Sequence, residues 1–318
     1  MSFPDADELR TLLEDGGLLG DGGGRTLLLL SGDDRLRYLN GQITNDLATL
    51  DPGLCLPAFL TNAKGRLEAA VSVVEMPGRD AYLIQAESAL AETLGPRLEK
   101  YIIADDCRLE DIGAEFALLH FFGKATLDLG KNDLGDDIIA FANLRRLGLP
   151  GIDLLVPRAS LATFLAGLGT PPLTGEAAEL LRLSLGVPAW GLELTGELLA
   201  PEAGPAFAES RICYTKGCYV GQEVISRINS VGRVNRTIVS LSADGDNDHL
   251  EPGFELLPAT GDAISPKAVG HLTSAIHSPL LGRDIALALV QRDHAAPGTP
   301  LLAGPGRLPL IVREPPLA

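Results

Sequence analysis

The spacing of apolar positions along the 318-residue chain switches several times between a helical period and strand-like runs. The first 24 residues predict a short helix followed by the turn GDGGG. RTLLLLSG (25–32) is a continuous apolar run, as expected of a strand buried on both faces. DDRLRYLNG (33–41) opens with acidic capping candidates and ends in Asn-Gly, so it predicts a short helix. LCLPAFL and LEAAVSVVE are strand-like runs separated by TNAKGR, whose turn chemistry predicts a hairpin. AYLIQA predicts another strand. ESALAETLGPRLEKYI (87–102) has helical spacing, with Pro96 expected to bend or break it.

Strands and short helices then alternate to about residue 168. GEAAELLRLSLG (175–186) is a helix that Gly186 should end. Gly- and Pro-rich chain (187–210) reads as irregular. Beyond Arg236 the pattern becomes RTIVSLS, FELLPA, AVGHLTSAIHS and DIALALVQR, short strands between turns that point to a small β-barrel or sandwich. The expected organisation is α+β, with a mixed helix and strand region over 1–235 and a β domain over 236–318.

Composition narrows the function classes. Apolar residues make up 46% and charged residues 21%, which fits a globular chain with proper cores. A net charge of −16 disfavours stable nucleic-acid binding, which needs a basic footprint. There is no apolar run long enough to span a bilayer, and the acidic N-terminus resembles neither a secretory nor a transit segment. The four cysteines, at 55, 107, 213 and 218, form neither a disulfide scaffold nor a C-x2-C metal knuckle. A reducing cytoplasm is the expected compartment, and a monomer the expected state.

The densest chemistry lies in TKGCYVGQE (215–223). Gly217 and Gly221 favour a tight loop around Cys218, and Lys216 with nearby arginines would favour its thiolate. The residues leave open a second reading, in which Cys218 is a small packing residue. Between 211 and 236 stand Arg211, Lys216, Arg227, Arg233 and Arg236 against a single acid, Glu223. A local net of +4 in an acidic chain points to an anionic ligand. Cys213 could resolve an oxidised Cys218, although RICYT reads as a strand with Cys213 in the core. GDGGGR precedes rather than follows a strand, so it is not a phosphate loop, and FFGKAT lacks the upstream glycine of a Walker A loop. The five histidines have no metal-ligand spacing, and no metal is expected; His271 and His277 read as structural.

Three stretches taken together, GDDRLRYLNGQITNDL (32–47), FLTNAKGRLEAAV (59–71) and KGCYVGQEVISRI (216–228), resemble the YgfZ family of folate-binding proteins, relatives of the glycine-cleavage T-protein (aminomethyltransferase). RLSLGVPAWGLEL and VGHLTSAIHSPLLGRDIALALVQ extend the likeness into the last domain. The resemblance implies three small domains in a ring around a central channel that takes tetrahydrofolate, possibly as a polyglutamate. It also implies a cysteine loop beside that channel. The family motif carries over onto Cys218, flanked by Lys216, Gly217, Tyr219, Gly221, Gln222 and Glu223. Asn62, Arg182, Arg227 and Arg233 are the expected folate contacts. The implied role is support of iron–sulfur cluster assembly or repair, and through cluster enzymes of tRNA modification. Iron–sulfur assembly proteins or cluster enzymes are the expected partners. The alternative is a one-carbon transferase of the aminomethyltransferase type.

One departure counts against that alternative, and a second, at Ser184, changes the expected folate contacts. Where the T-protein has its reactive-site aspartate, this chain has Ala69 and Ala70, and alanine can neither position nor stabilise charge at a reacting nitrogen. Glu68 is adjacent but should face the opposite side of its strand. Ser184 stands in RLSLG where the T-protein has a glutamate.

Overall fold

The computed structural model describes residues 3–20, 24–129, 134–135, 137–143, 146–169, 171–230, 232–245, 249–259 and 267–317. Helix α1 (Ala6–Asp15) begins in a capping box: Asp5 accepts from the N–H groups of Asp7 and Glu8, and the Glu8 carboxylate accepts from the Asp5 N–H. The turn expected at GDGGG falls largely on 21–23, outside the described residues. Before it comes strand β1 (Gly17–Leu19), which the sequence reading missed because three residues are too few to show a period.

The next unit comprises β2 (Arg25–Ser31), α2 (Arg35–Gln42), β3 (Leu56–Thr61), β4 (Leu67–Glu75), β5 (Ala81–Glu87), α3 (Ala91–Glu99) and β6 (Arg108–Asp111). Its antiparallel strands are ordered β3-β4-β5-β2-β6. The apolar run of β2 is buried on both faces, as read from the sequence. Leu28 and Leu30 pack under α2 and α3, whereas Leu27 and Leu29 meet a second sheet.

Two local expectations need correction. Asp34 does not cap α2: its backbone (φ −89°, ψ 1°) is outside the extended region from which a capping side chain reaches the first turn. Its carboxylate instead accepts from the Asp106 N–H at 2.9 Å and pairs with Arg37. Pro96 does not break α3, which runs on to Glu99. Leu94 and Leu98 anchor the helix in the core, and the carbonyl left without a donor belongs to Glu92 on the exposed face.

The second sheet adds β7 (Phe116–Phe122), the short α4 (Thr126–Leu129), β8 (Ile139–Ala142) and β9 (Gly151–Pro157), in the order β1-β7-β9-β8. Helix α5 (Arg158–Leu168) covers its outer face through Leu161, Phe164 and Leu165. The inner face packs on the first sheet through Leu118, Phe141 and Leu155. Helix α6 (Gly175–Ser184) ends as expected at Gly186 (φ +66°). The Val187 N–H bonds to Arg182 O and the Gly186 N–H to Leu183 O, a left-handed cap.

Helices α7 (Pro205–Glu209) and α8 (Gln222–Ser230) lead to the last unit. There β10 (Arg236–Ala243), β11 (Glu255–Pro258), β12 (Gly270–Ser278), β13 (Arg283–Gln291), β14 (Pro300–Ala303) and β15 (Leu308–Arg313) close a barrel ordered β10-β13-β12-β11-β14-β15. Closure leaves no free strand edge. Its interior holds Leu241, Leu256, Leu272, Ala286, Ala288 and Val290. The α+β class and the C-terminal barrel agree with the sequence reading. One apolar cluster joins the units: Leu9 of α1, Phe59 of β3, Leu67 of β4, Leu183 of α6, Ile225 of α8 and Leu287 of the barrel. Among the described residues no helix is long and apolar enough to cross a membrane.

Candidate functional site: the cysteine loop and the cavity at the barrel joint

Residues Arg211–Gly221 form a loop stapled to the first unit at several points. The Cys213 N–H donates to Thr44 O at 3.0 Å, and Thr44 Oγ1 donates to Arg211 O at 2.6 Å. At the far end, the Val220 N–H donates to Gly41 O at 3.2 Å and Thr61 Oγ1 donates to Val220 O at 2.6 Å. Gly221 has φ +87°, and a Cβ there would lie 2.5 Å from Asn62 O. Only glycine fits that contact.

Lys216 provides the central staple. Its side chain is buried, and Nζ donates to Asn40 O (2.7 Å), Asn40 Oδ1 (2.7 Å), Ile43 O (3.0 Å) and Asn45 O (2.6 Å). The expectation that Lys216 activates Cys218 therefore needs correction. Its charge is directed into the segment after α2, where oxygens compensate the loss of water. Burial pushes the Lys216 amine down to about 8, and negative charge at Asp46 and Cys213 acts in the opposite direction.

Cys218 is exposed, and all four cysteines are free. Tyr219, the next residue, is buried in the joining cluster. The loop thus anchors one neighbour of the thiol and turns the thiol outward. Gln222 Nε2 closes the loop by donating to Lys216 O at 3.3 Å and Gly217 O at 3.4 Å. Glu223 is exposed at the start of α8.

Cys213 departs from expectation: RICYT is loop, not strand, and Cys213 is only partly buried. The long-range bonds of the loop to Thr44 override the local strand-like pattern. Burial raises the Cys213 pKa, but hydrogen bonds from the Thr215 hydroxyl and from the Thr215 and Lys216 N–H groups outweigh it and lower the pKa overall.

A cavity of about 880 Å³ opens where the loop region meets the barrel. Its wall includes Phe207, Tyr214, Arg233, Arg292 and Arg313. Of the expected folate contacts, Arg233 is in this wall. Asn62 lies against Gly221, with its side chain fixing the β3–β4 turn through the Lys64 and Arg66 N–H groups. Arg227 is exposed on α8. Arg182 lies elsewhere, in a buried cluster with Glu179 (2.6 Å), Glu193 (2.8 Å) and Ser274 Oγ (3.0 Å) that ties α6 to β12.

The rest of the basic segment is also engaged. Arg211 stacks on Phe207 with its Cζ 3.4 Å from the ring centroid, and Arg236 pairs with Glu202 at 3.3 Å. On β4, Ala69 is fully buried and Ala70 packs against the joining cluster, while Glu68 pairs with Arg97. Ser184 is fully buried, and its hydroxyl has no partner among the described residues. Among the described residues, no group of three or more His, Cys, Asp or Glu could hold a metal.

The sequence reading missed the wall residues Phe207, Tyr214, Arg292 and Arg313, because only folding brings chain 85 and 99 positions apart onto one wall. It also missed a buried His120–Asp153 pair, for which a signal existed. Each is a lone polar residue inside an apolar strand, in ALLHFF and GIDLLVP.

Comparison with known proteins agrees with this architecture. The glycine cleavage T-protein C-terminal barrel domain matches residues 236–317. The crystal structure of glycine cleavage system aminomethyltransferase T from Bartonella henselae superposes with a TM-score of 0.79, covering 95% of this chain and 86% of that one at 18% identity. The chain is therefore a protein of the T-protein fold. The tRNA-modifying protein YgfZ of Colwellia psychrerythraea is 23% identical over 71% of this chain and 70% of its own length. The mitochondrial iron-sulfur cluster assembly factor IBA57 homolog of Neurospora crassa is 27% identical over 68% of this chain, which spans about half of that relative (51%). Within the fold, the chain is similar to YgfZ and IBA57 proteins as well as to aminomethyltransferases.

Proposed function

We propose that the protein binds tetrahydrofolate and serves iron–sulfur cluster assembly or repair, supporting tRNA modification through enzymes that carry clusters. The observation that carries this reading is the stapled loop that exposes Cys218 and contributes Tyr214 to the wall of a folate-sized cavity. The residues present fit a folate. Phe207 and Tyr214 offer aromatic surface, and Arg233, Arg292 and Arg313 offer cations for its glutamate or polyglutamate tail. Bound folate would supply a one-carbon or redox-active pterin. The chain's own residues hold it, orient it and set the exposed Cys218 thiol nearby. The surroundings are a reducing compartment such as the cytoplasm, and the partners are assembly proteins or cluster enzymes.

The alternative, aminomethyl transfer, lacks its acid group. Ala69 and Ala70 occupy the strand, and the Glu68 carboxylate is paired with Arg97. No methylenetetrahydrofolate should form from an aminomethyl-lipoyl donor; turnover would favour the alternative.

Fluorescence titration with tetrahydrofolate should show saturable binding. Arg233→Glu should weaken it by about tenfold or more, the loss of one charge-assisted bond. Cys218→Ala should bind folate normally yet fail to support cluster-enzyme activity in cells. Absence of binding would overturn the folate reading, and full activity of Cys218→Ala would overturn a chemical role for the thiol.

A further inference from the structure

A second cavity, about 200 Å³ in volume, lies where the two N-terminal sheets meet the start of α6. Its wall includes Arg25, Glu87, His120, Arg146, Thr174 and Gly175. It shares no wall residue with the cavity at the barrel joint.

Behind the wall, Asp153 is fully buried and saturated with donors. Oδ1 accepts from His120 Nδ1 at 2.8 Å and Arg146 Nε at 3.0 Å; Oδ2 accepts from Arg146 Nη2 at 2.6 Å and Asn143 Nδ2 at 2.7 Å. The carboxylate fixes the imidazole tautomer, since the nitrogen facing it carries the hydrogen. His120 Nε2 is therefore a lone-pair acceptor. It is buried without a partner among the described residues, and the residue is only 2% exposed. Buried polar atoms rarely go unsatisfied, so this one calls for a donor.

Burial holds His120 below its ordinary pKa. Arg146 and Arg25 act in the same direction, while Asp153 opposes them. The opposite wall is the N-terminus of a ten-residue helix. Thr174 makes no side-chain cap there, and Thr174, Gly175 and Ala178 at the start of α6 line the cavity, next to the positive end of the helix dipole.

We propose that this cavity binds a small oxyanion bearing one hydroxyl, its anionic oxygens at the α6 N-terminus and its hydroxyl donating to His120 Nε2. At about 200 Å³ the cavity suits a ligand the size of hydrogen phosphate or a two-carbon hydroxycarboxylate. The other charges nearly cancel: Arg146 is matched by Asp153, and Arg25 stands opposite Glu87 in the β2–β5 register. The helix terminus is therefore the unbalanced positive group, and it selects an anion.

The test is to titrate the full chain with phosphate, glycolate and acetate, following the His120 ring nitrogens by NMR and heat by calorimetry. Phosphate or glycolate should saturate and shift Nε2, and whichever binds identifies the source of the oxyanion. Acetate, which has the charge but no hydroxyl, should bind about tenfold more weakly or worse. Ala178→Asp, which adds a carboxylate to the wall, should weaken binding at least about tenfold while the Nδ1 signal of His120 stays unchanged. Three results would overturn the proposal: no saturation by about 10 mM, equal affinity for acetate and glycolate, or unchanged binding in a folded Ala178→Asp variant.

Discussion

Replacing Lys216 with Met asks whether a buried ammonium holds the cysteine loop in place. Met preserves the length and the apolar stem but removes every donor. Four oxygens lose Nζ, at 2.6 to 3.0 Å. Asn40 Oδ1 still accepts from the Leu47 N–H at 2.8 Å, so the loss falls on the carbonyls of Asn40, Ile43 and Asn45. At about 1 kcal/mol for each buried acceptor left unpaired, the variant should lose about 3 kcal/mol. Urea unfolding should show a lower midpoint at constant m-value. Hydrogen exchange should accelerate at the Cys213 and Val220 amides, the two ends of the staple. Lys216→Arg should not rescue, because a planar guanidinium cannot replace a compact ammonium among converging carbonyls. The pH dependence has a defined sign. The folded-state value near 8 lies below the ordinary 10.5, so the unfolded chain binds more protons between them. This group's contribution to stability therefore rises with pH across that window, and the full cost of burying the charge is present below it. The gap between wild type and Lys216→Met should widen from about pH 8 to about pH 10. A loss below about 0.5 kcal/mol with unchanged exchange would refute the staple.

Other outcomes can be checked in parallel. Asp153→Asn leaves Arg146 buried without its counter-ion and should cost about 3–5 kcal/mol near neutral pH by urea unfolding. Burial favours the neutral acid at Asp153, but Arg146 and His120 outweigh it and hold the carboxyl well below 3.8. That stability is present above the unfolded carboxyl value, so the difference between the two proteins should shrink as pH falls below it. Gly221→Ala forces a side chain into φ +87° against Asn62 O; it should cost about 2 kcal/mol and speed exchange at the Val220 amide. Cys218→Ala removes an exposed thiol and should leave stability within about 0.5 kcal/mol, which separates a chemical defect from an unfolding one.

Local pattern made much of the architecture legible. The double-sided apolar run of β2, the β3–β4 hairpin across TNAKGR and the glycine stop after α6 are written in neighbouring residues. So is the change to short strands near Arg236, where the barrel begins. The sequence reading did not identify β14 or β15, each of which carries a proline, and barrel closure supplies their pairing.

The site divided differently. The sequence determined that Cys218 sits in a glycine-bracketed loop and that β4 carries Ala69 and Ala70. Tertiary structure decided what the charges do. Lys216 reads as a partner for the adjacent thiol, yet its ammonium bonds to Asn40, 176 residues away. Arg182 reads as a ligand contact and is held by Glu193 and Ser274. His120 and Asp153 are 33 residues apart and become a pair only because β7 and β9 align them in register. Periodicity and turns are set by the backbone conformations of adjacent residues, which any stretch of sequence displays. The state of a charged side chain depends on which oxygens reach it and how much water is excluded, and both are fixed by contacts between distant segments.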